Sequence, residues 1–270
     1  MHRLILAALV CVFAVAAGVA TAGGPSPGLS FGAGGVATPD GSLRYVALPA
    51  GSGTIVESIG ARSGRVFRSH WLQGGYGVPL VTFGGTAGGL SHDGKTLVLA
   101  SFPGAPGRSV THLAVLSTKT LRPRALLALR GSFSYDAIAP DGSTIYLIQY
   151  TSAKYFDRYR VRAYDLAVAK LLPGAIVDKR EPKEPMTGSP VTRVTSADGG
   201  WVYTLYSRAD KSPFIHALDA AHRAAVCIDL DWRGSQSVVS RLRLKLSADG
   251  RQLVLSRRDG MRVLAVAAPG

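Results

Sequence analysis

One phrase recurs five times along this chain. It reads "TPDGSLRYVAL" from Thr38, "SHDGKTLVLA" from Ser91, "APDGSTIYLIQY" from Ala139, "SADGGWVYTLY" from Ser196 and "SADGRQLVLS" from Ser247. The Asp-Gly pairs begin at Asp40, Asp93, Asp141, Asp198 and Asp249, so the spacings are 53, 48, 57 and 51 residues. A period of that length marks an array of supersecondary units. Asp-Gly between two strand-like runs marks a hairpin, because glycine reaches positive φ without steric cost. The runs that follow ("RYVAL", "TLVLA", "TIYLIQY", "WVYTLY", "QLVLS") are β-branched and aromatic, as strands require.

Each unit continues alike. A loop leads to a third strand, a turn and a fourth strand: "VTHLAVLSTKT" then "RALLALR", "YRVRAYDLAVA" then "LLPGAIV", "PFIHALDAAHR" then "AAVCIDLDW". A further run ("SYDAIAPDG", "PVTRVTSADG", "RLRLKLSADG") opens the next unit. Four strands per period, repeated radially, are the blades of an all-β propeller of four-stranded antiparallel sheets. The count is five blades, or six if the loop-rich first unit hides a degenerate one. The last unit is short, with "RQLVLSRR" and "MRVLAVAAPG" only, so the N-terminal "LSFG" is expected to supply its outer strand. The two termini would then close the ring and remove the exposed sheet edges.

These units resemble the propeller repeats of YVTN, lactonase-like and WD-repeat-like proteins. The likeness rests on "PDG" with a Tyr/Val strand and on "VLSTKT", "AYDLAVA" and "ALDAAHR" in place of an Ile-Asp-x-x-Thr-Gly-like turn. The stretch "REPKEPMTGSPVTRVTSADGGWVYTLY" is also similar to uncharacterised exported proteins of high-GC bacteria. The resemblance implies a fold and little more, since propellers host many functions.

Residues 1–22 read as a secretory signal: Arg3, the apolar run Leu4 to Ala17, then the small-x-small site Ala20-Thr21-Ala22. Cleavage after Ala22 would leave one domain, 23–270, in the extracytoplasmic space. A retained segment would instead anchor the protein to the membrane. Cleavage also removes Cys11 and leaves Cys227 with no disulfide partner. Cys227 lies in the apolar run "AAVCIDL", where it reads as a small buried hydrophobe.

The formal net charge is +14. In an exported protein that favours an anionic envelope polymer or a protein partner, not nucleic acid. The candidate contact surface is the face holding the second-to-third loops and the connections between units, expected to surround the wider channel mouth. There Lys154, Tyr155, Phe156 and Arg158 interleave charge with aromatic planes. Trp232 and Arg233, and Arg257 and Arg258, stand on two further loops. Arg241 is expected to share one side of the last inner strand with Arg243 and Lys245. The leading expectation is thus a non-catalytic binding or scaffold module, including a platform for protein assembly.

Chemistry is harder to find. No Gly-x-Ser-x-Gly elbow, Cys-x-x-Cys or His-Glu-x-x-His occurs. No metal site or cofactor is expected. A lactonase-like or other hydrolase remains the alternative, with Asp136, Arg193 and Arg243 at the channel as its candidate catalytic residues. A metal or general-base constellation would want more than the single carboxylate of Asp136.

Overall fold

The computed structural model describes residues 34–101, 110–152, 158–182, 186–209 and 211–269. These form five antiparallel sheets, one per Asp-Gly unit. The first holds β1 (Val36–Ala37), β2 (Leu43–Ala50), β3 (Gly53–Gly60) and β4 (Val66–Gln73). The second holds β5 (Tyr76–Gly77), β6 (Thr96–Ser101), β7 (Val110–Ser117) and β8 (Pro123–Arg130). The third holds β9 (Phe133–Ile138), β10 (Thr144–Tyr150), β11 (Tyr159–Asp165) and β12 (Lys170–Leu171). The fourth holds β13 (Ser189–Thr195), β14 (Trp201–Ser207), β15 (Phe214–Asp219) and β16 (Ala224–Asp229). After a four-residue helix, α1 (Gln236–Val239), the fifth holds β17 (Arg243–Leu246), β18 (Gln252–Ser256) and β19 (Arg262–Ala267). Every sheet is a simple meander in chain order.

The Asp-Gly phrase builds the same turn five times. The aspartate Oδ1 accepts the amide of the residue two positions on: Ser42 (3.0 Å), Lys95 (3.0 Å), Ser143 (2.9 Å), Gly200 (2.9 Å) and Arg251 (3.1 Å). The glycines sit at φ of 67°, 70°, 74°, 75° and 73°, a region closed to most side chains. In four units a hydroxyl two residues before the aspartate completes the lock. Thr38, Ser91, Ser196 and Ser247 each donate to the carboxylate and accept the amide at the start of the next strand. Ala139 stands at this place in the third unit.

The sheets pack face to face along the sequence. Buried side chains of the first and second sheets share one core (Tyr45, Val56, Leu97, Leu99) and those of the second and third another (Val98, Leu113, Tyr135, Leu147). The third and fourth share Tyr146, Tyr159 and Tyr206, and the fourth and fifth share Leu205, Ile215, Leu244 and Leu253. This explains why β6 and β10 are apolar on both faces, whereas β4, an outer strand, is largely exposed.

The structure departs from the sequence reading in three places. The first unit is regular, with strands of eight residues. The fourth strand of the third unit stops after two residues, because Pro173 lacks an N–H; pairing resumes only at Ile176, opposite Val161. Arg241 lies in the turn after α1 and not in β17, which begins at Arg243. Among the described residues the fifth sheet has three strands, the three that the C-terminal unit supplies. The "LSFG" segment expected beside β19 lies outside the described residues, as do Lys154, Tyr155 and Phe156.

Candidate functional site

Two of the three channel candidates meet directly. Arg193 on β13 reaches back to Asp136 on β9. Its Nη2 donates to Asp136 Oδ1, its Nη1 to the Asp136 carbonyl (2.6 Å) and its Nε to Thr204 Oγ1 (2.8 Å). Both side chains are buried, 7% and 4% exposed. Burial works against the charge on Arg193, but the Asp136 carboxylate outweighs it and holds the guanidinium above the usual arginine range. The phenols of Tyr135 and Tyr206 flank the pair, and desolvation pushes both far above the ordinary tyrosine value. An arginine that keeps its proton and a carboxylate fixed to it tie the third sheet to the fourth.

A hairpin enters the space between the sheets. After β5 the chain leaves the second sheet at Val78 and rejoins it at Leu90, opposite Leu97. In between, Gly88 donates to the Pro79 carbonyl (2.8 Å), Val81 to Thr86 (2.9 Å) and Gly85 to Thr82 (3.1 Å). At the tip the amides of Phe83 and Gly84 donate to the carbonyls of Pro190 (3.0 Å) and Val191 (2.9 Å) on β13. A Cβ on Gly84 would stand 2.9 Å from the Val191 oxygen and 3.1 Å from Arg243 Nη1. One element of the second sheet thus touches the fourth and the fifth, and the third channel candidate, Arg243, sits at its tip. Sequence reasoning missed this hairpin; "VTFGGTAGG", with four glycines in nine residues, was its signal.

Beside the hairpin lies a cleft of about 390 Å³, lined by Ala37, Gly89, Tyr135, Asp136, Arg193 and Val202 from four sheets. It opens among the Asp-Gly turns, at Pro39, His92 and Gly199. Ser91 and Asp93, adjacent to His92, are bonded to each other in the turn (2.6 Å).

The loop-face candidates divide. Arg158, with Arg160, lines a groove of about 430 Å³ between β11 and the connection from β12 to β13; Thr151, Ala175, Pro182 and Met186 complete its walls. Arg233, Arg241, Arg257 and Arg258 are exposed, on loops of the fourth-to-fifth connection and the fifth sheet. Trp232 is half-buried and packs against the core between those sheets. A Cβ on Gly234 would stand 2.7 Å from its ring. Trp232 therefore belongs to the core and is not displayed as a contact residue.

A second small pocket was not anticipated. The connection after β12 adds to the edge of β16, with Asp178 paired to Ala225. Asp178 Oδ2 accepts the Cys227 amide (2.8 Å), and Arg180 grips both carboxylate oxygens and the Cys227 carbonyl (2.8 Å). Those Arg180 bonds, above all, hold the Asp178 carboxyl well below its usual range. Behind this strap is a pocket of about 30 Å³ lined by Met186, Phe214, His216, Cys227 and Asp229 among others. His216 is 2% exposed and its Nε2 has no hydrogen-bond partner. Burial lowers its pKa to about 4, so the ring is neutral at physiological pH. Cys227 is half-buried, packs against the core between the third and fourth sheets and lines this pocket.

No family model matches this chain, and no curated protein matches it. Solved structures do. Hydrazine synthase of Kuenenia stuttgartiensis is similar over 87% of this chain and 58% of its own, at 14% identity and a TM-score of 0.51. This chain thus spans less than two thirds of that protein. The β-propeller domain of Cps50 (Swd1) from Myceliophteria thermophila aligns over 89% of this chain and 68% of its own, at 13% identity and a TM-score of 0.47. A putative TolB from Agrobacterium tumefaciens aligns over 88% and 80%, at 14% identity and a TM-score of 0.46. The likeness is one of fold. The five antiparallel meander sheets, repeated in chain order, are themselves the pattern of a β-propeller.

Proposed function

We propose that the protein is an exported, non-catalytic binding or scaffold module that meets its ligand on the loop face. The five sheets act as five blades of one ring, and the "LSFG" segment completes the fifth. Two features support a ring: the hairpin, which is bonded to the fourth sheet and approaches Arg243 of the fifth, and the outer edge of β19, which has no partner strand among the described residues.

The observation that carries the binding reading is the groove beside β11. It is large enough for part of a polymer chain, and Arg158 and Arg160 stand on its exposed wall. Exposed Arg233, Arg241, Arg257 and Arg258 extend the positive charge along the connecting loops. An anionic polymer of the cell envelope fits this chemistry.

Titration of the full chain with an acidic polysaccharide at increasing ionic strength tests the reading. Affinity should fall as salt screens the arginines, and Arg158→Glu with Arg160→Glu should reduce it at least tenfold. Binding indifferent to salt and to both substitutions would refute it.

A further inference from the structure

We propose that Met186, His216 and Cys227 form a binding site for a soft monovalent metal ion, Cu(I). His216 and Cys227 are direct partners in the β15–β16 register, so their side chains leave the same face of the fourth sheet with Cβ atoms roughly 5 Å apart. Met186, at the end of the connection from β12, lines the same pocket. The space among them, about 30 Å³, suits one ion or one water molecule and nothing larger.

The His216 ring is what asks for an occupant. A buried imidazole nitrogen normally has a partner, and Nε2 here has none. An imidazole nitrogen that carries no proton offers a lone pair for coordination.

The donor types select the metal. Among the described residues no three His, Cys, Asp or Glu side chains gather closely enough to hold an ion. The nitrogen-thiolate-carboxylate sets favoured by zinc are therefore not assembled. The Met186 thioether lines the same pocket and is the donor we assign as the third. Imidazole, thiolate and thioether together are a soft set, and such sets prefer Cu(I). The carboxylates of Asp178 and Asp229 at the rim are paired with Arg180 and Arg208, so they are not counted among the donors. On binding, the Cys227 thiol gives up one proton to solvent and its sulfur joins the metal; no electron is transferred.

The test is a competition for Cu(I) between the full chain and bicinchoninate, under anaerobic reducing conditions. The chain should withdraw one Cu(I), with sulfur and nitrogen neighbours in the X-ray absorption spectrum. Met186→Leu should weaken binding at least tenfold and Cys227→Ser should abolish it, whereas Cys11→Ser should change nothing. Bound Cu(I) should also shield Cys227 of the parent chain from alkylation, a readout that does not depend on any variant folding. Failure to take Cu(I) from the chelator, or uptake unchanged in Met186→Leu and Cys227→Ser, or alkylation of Cys227 at the same rate with and without Cu(I), would overturn the assignment.

Discussion

Asp136 and Arg193 lie 57 residues apart in sequence and are bound to each other in the space between the third and fourth sheets. Arg193 also holds the Asp136 carbonyl and the Thr204 hydroxyl, so one guanidinium fixes two inner strands and a neighbouring second strand. Removing it leaves a carboxylate buried without a counter-charge. Arg193→Met should therefore lower stability by about 3–5 kcal/mol, read as a fall in the urea midpoint at constant slope. An unchanged midpoint would mean the pair contributes nothing to joining the sheets.

The five turn aspartates predict a specific acid sensitivity. Asp40, Asp93, Asp141, Asp198 and Asp249 are all held below the ordinary carboxylate value, Asp40 down to about 2. The Thr38 hydroxyl is the main cause at Asp40, the Ser196 and Ser247 hydroxyls at Asp198 and Asp249, and the Ser143 amide at Asp141. At Asp93 desolvation opposes the shift, but the bonds from Ser91 and Lys95 win. A depressed folded-state pKa stabilises above the unfolded value, near 3.8, and that contribution is lost as pH falls toward the folded value. The melting temperature should hold steady from neutrality to about pH 5 and then drop steeply below pH 4. Asp→Asn at several of these turns should flatten the drop, and an equally steep drop in such a variant would count against this origin.

The third unit lacks the hydroxyl that the other four turns share. Ser91→Ala should cost about 1–2 kcal/mol, because it strands the Thr96 amide, which Ser91 Oγ now accepts at 3.0 Å. The reverse change, Ala139→Ser, should gain about 0.5–1 kcal/mol by supplying the missing bond. Thermal melts of the two variants check both signs.

Three turns between third and fourth strands carry non-glycine residues in the left-handed region: Leu121 (φ 58°), Ala169 (φ 53°) and Arg223 (φ 59°). They occupy the place where the resembling repeats have glycine. Ala169→Gly should relieve the strain and stabilise by about 0.5–1 kcal/mol. Leu121→Gly should do the opposite, at roughly 3–5 kcal/mol, because that side chain is fully buried. Equilibrium unfolding distinguishes the two, and a loss on Ala169→Gly would contradict the assigned backbone.

The repeat was legible in the sequence because its turn chemistry is local: Asp, Gly and a hydroxyl two residues before the aspartate determine a hairpin wherever they occur. Asp136, Arg193 and Arg243 were legible as inner-strand residues, but not as a fixed pair and a hairpin contact. Those relations depend on how separate sheets meet, which no local pattern encodes. The hairpin at 78–90 hid inside a glycine-rich stretch that alternation alone reads as loop. Trp232 looked like a displayed aromatic because its neighbours are polar, yet its ring turns into the core between two sheets. Cys227 reads by itself as core filling, and neither His216 nor Met186 carries a local signal; only strand register and the return of the connection along β16 bring the three to one pocket.

The most direct test of the binding account is retention of ligand from the organism's own envelope. The full chain is immobilised and exposed to an envelope extract at low and at high ionic strength, in parallel with a chain carrying Arg158→Glu and Arg160→Glu. The account predicts that an anionic polymer is held at low salt, released at high salt and not held by the variant. Retention of nothing by the parent chain, or identical retention by parent and variant at both salt concentrations, would contradict it.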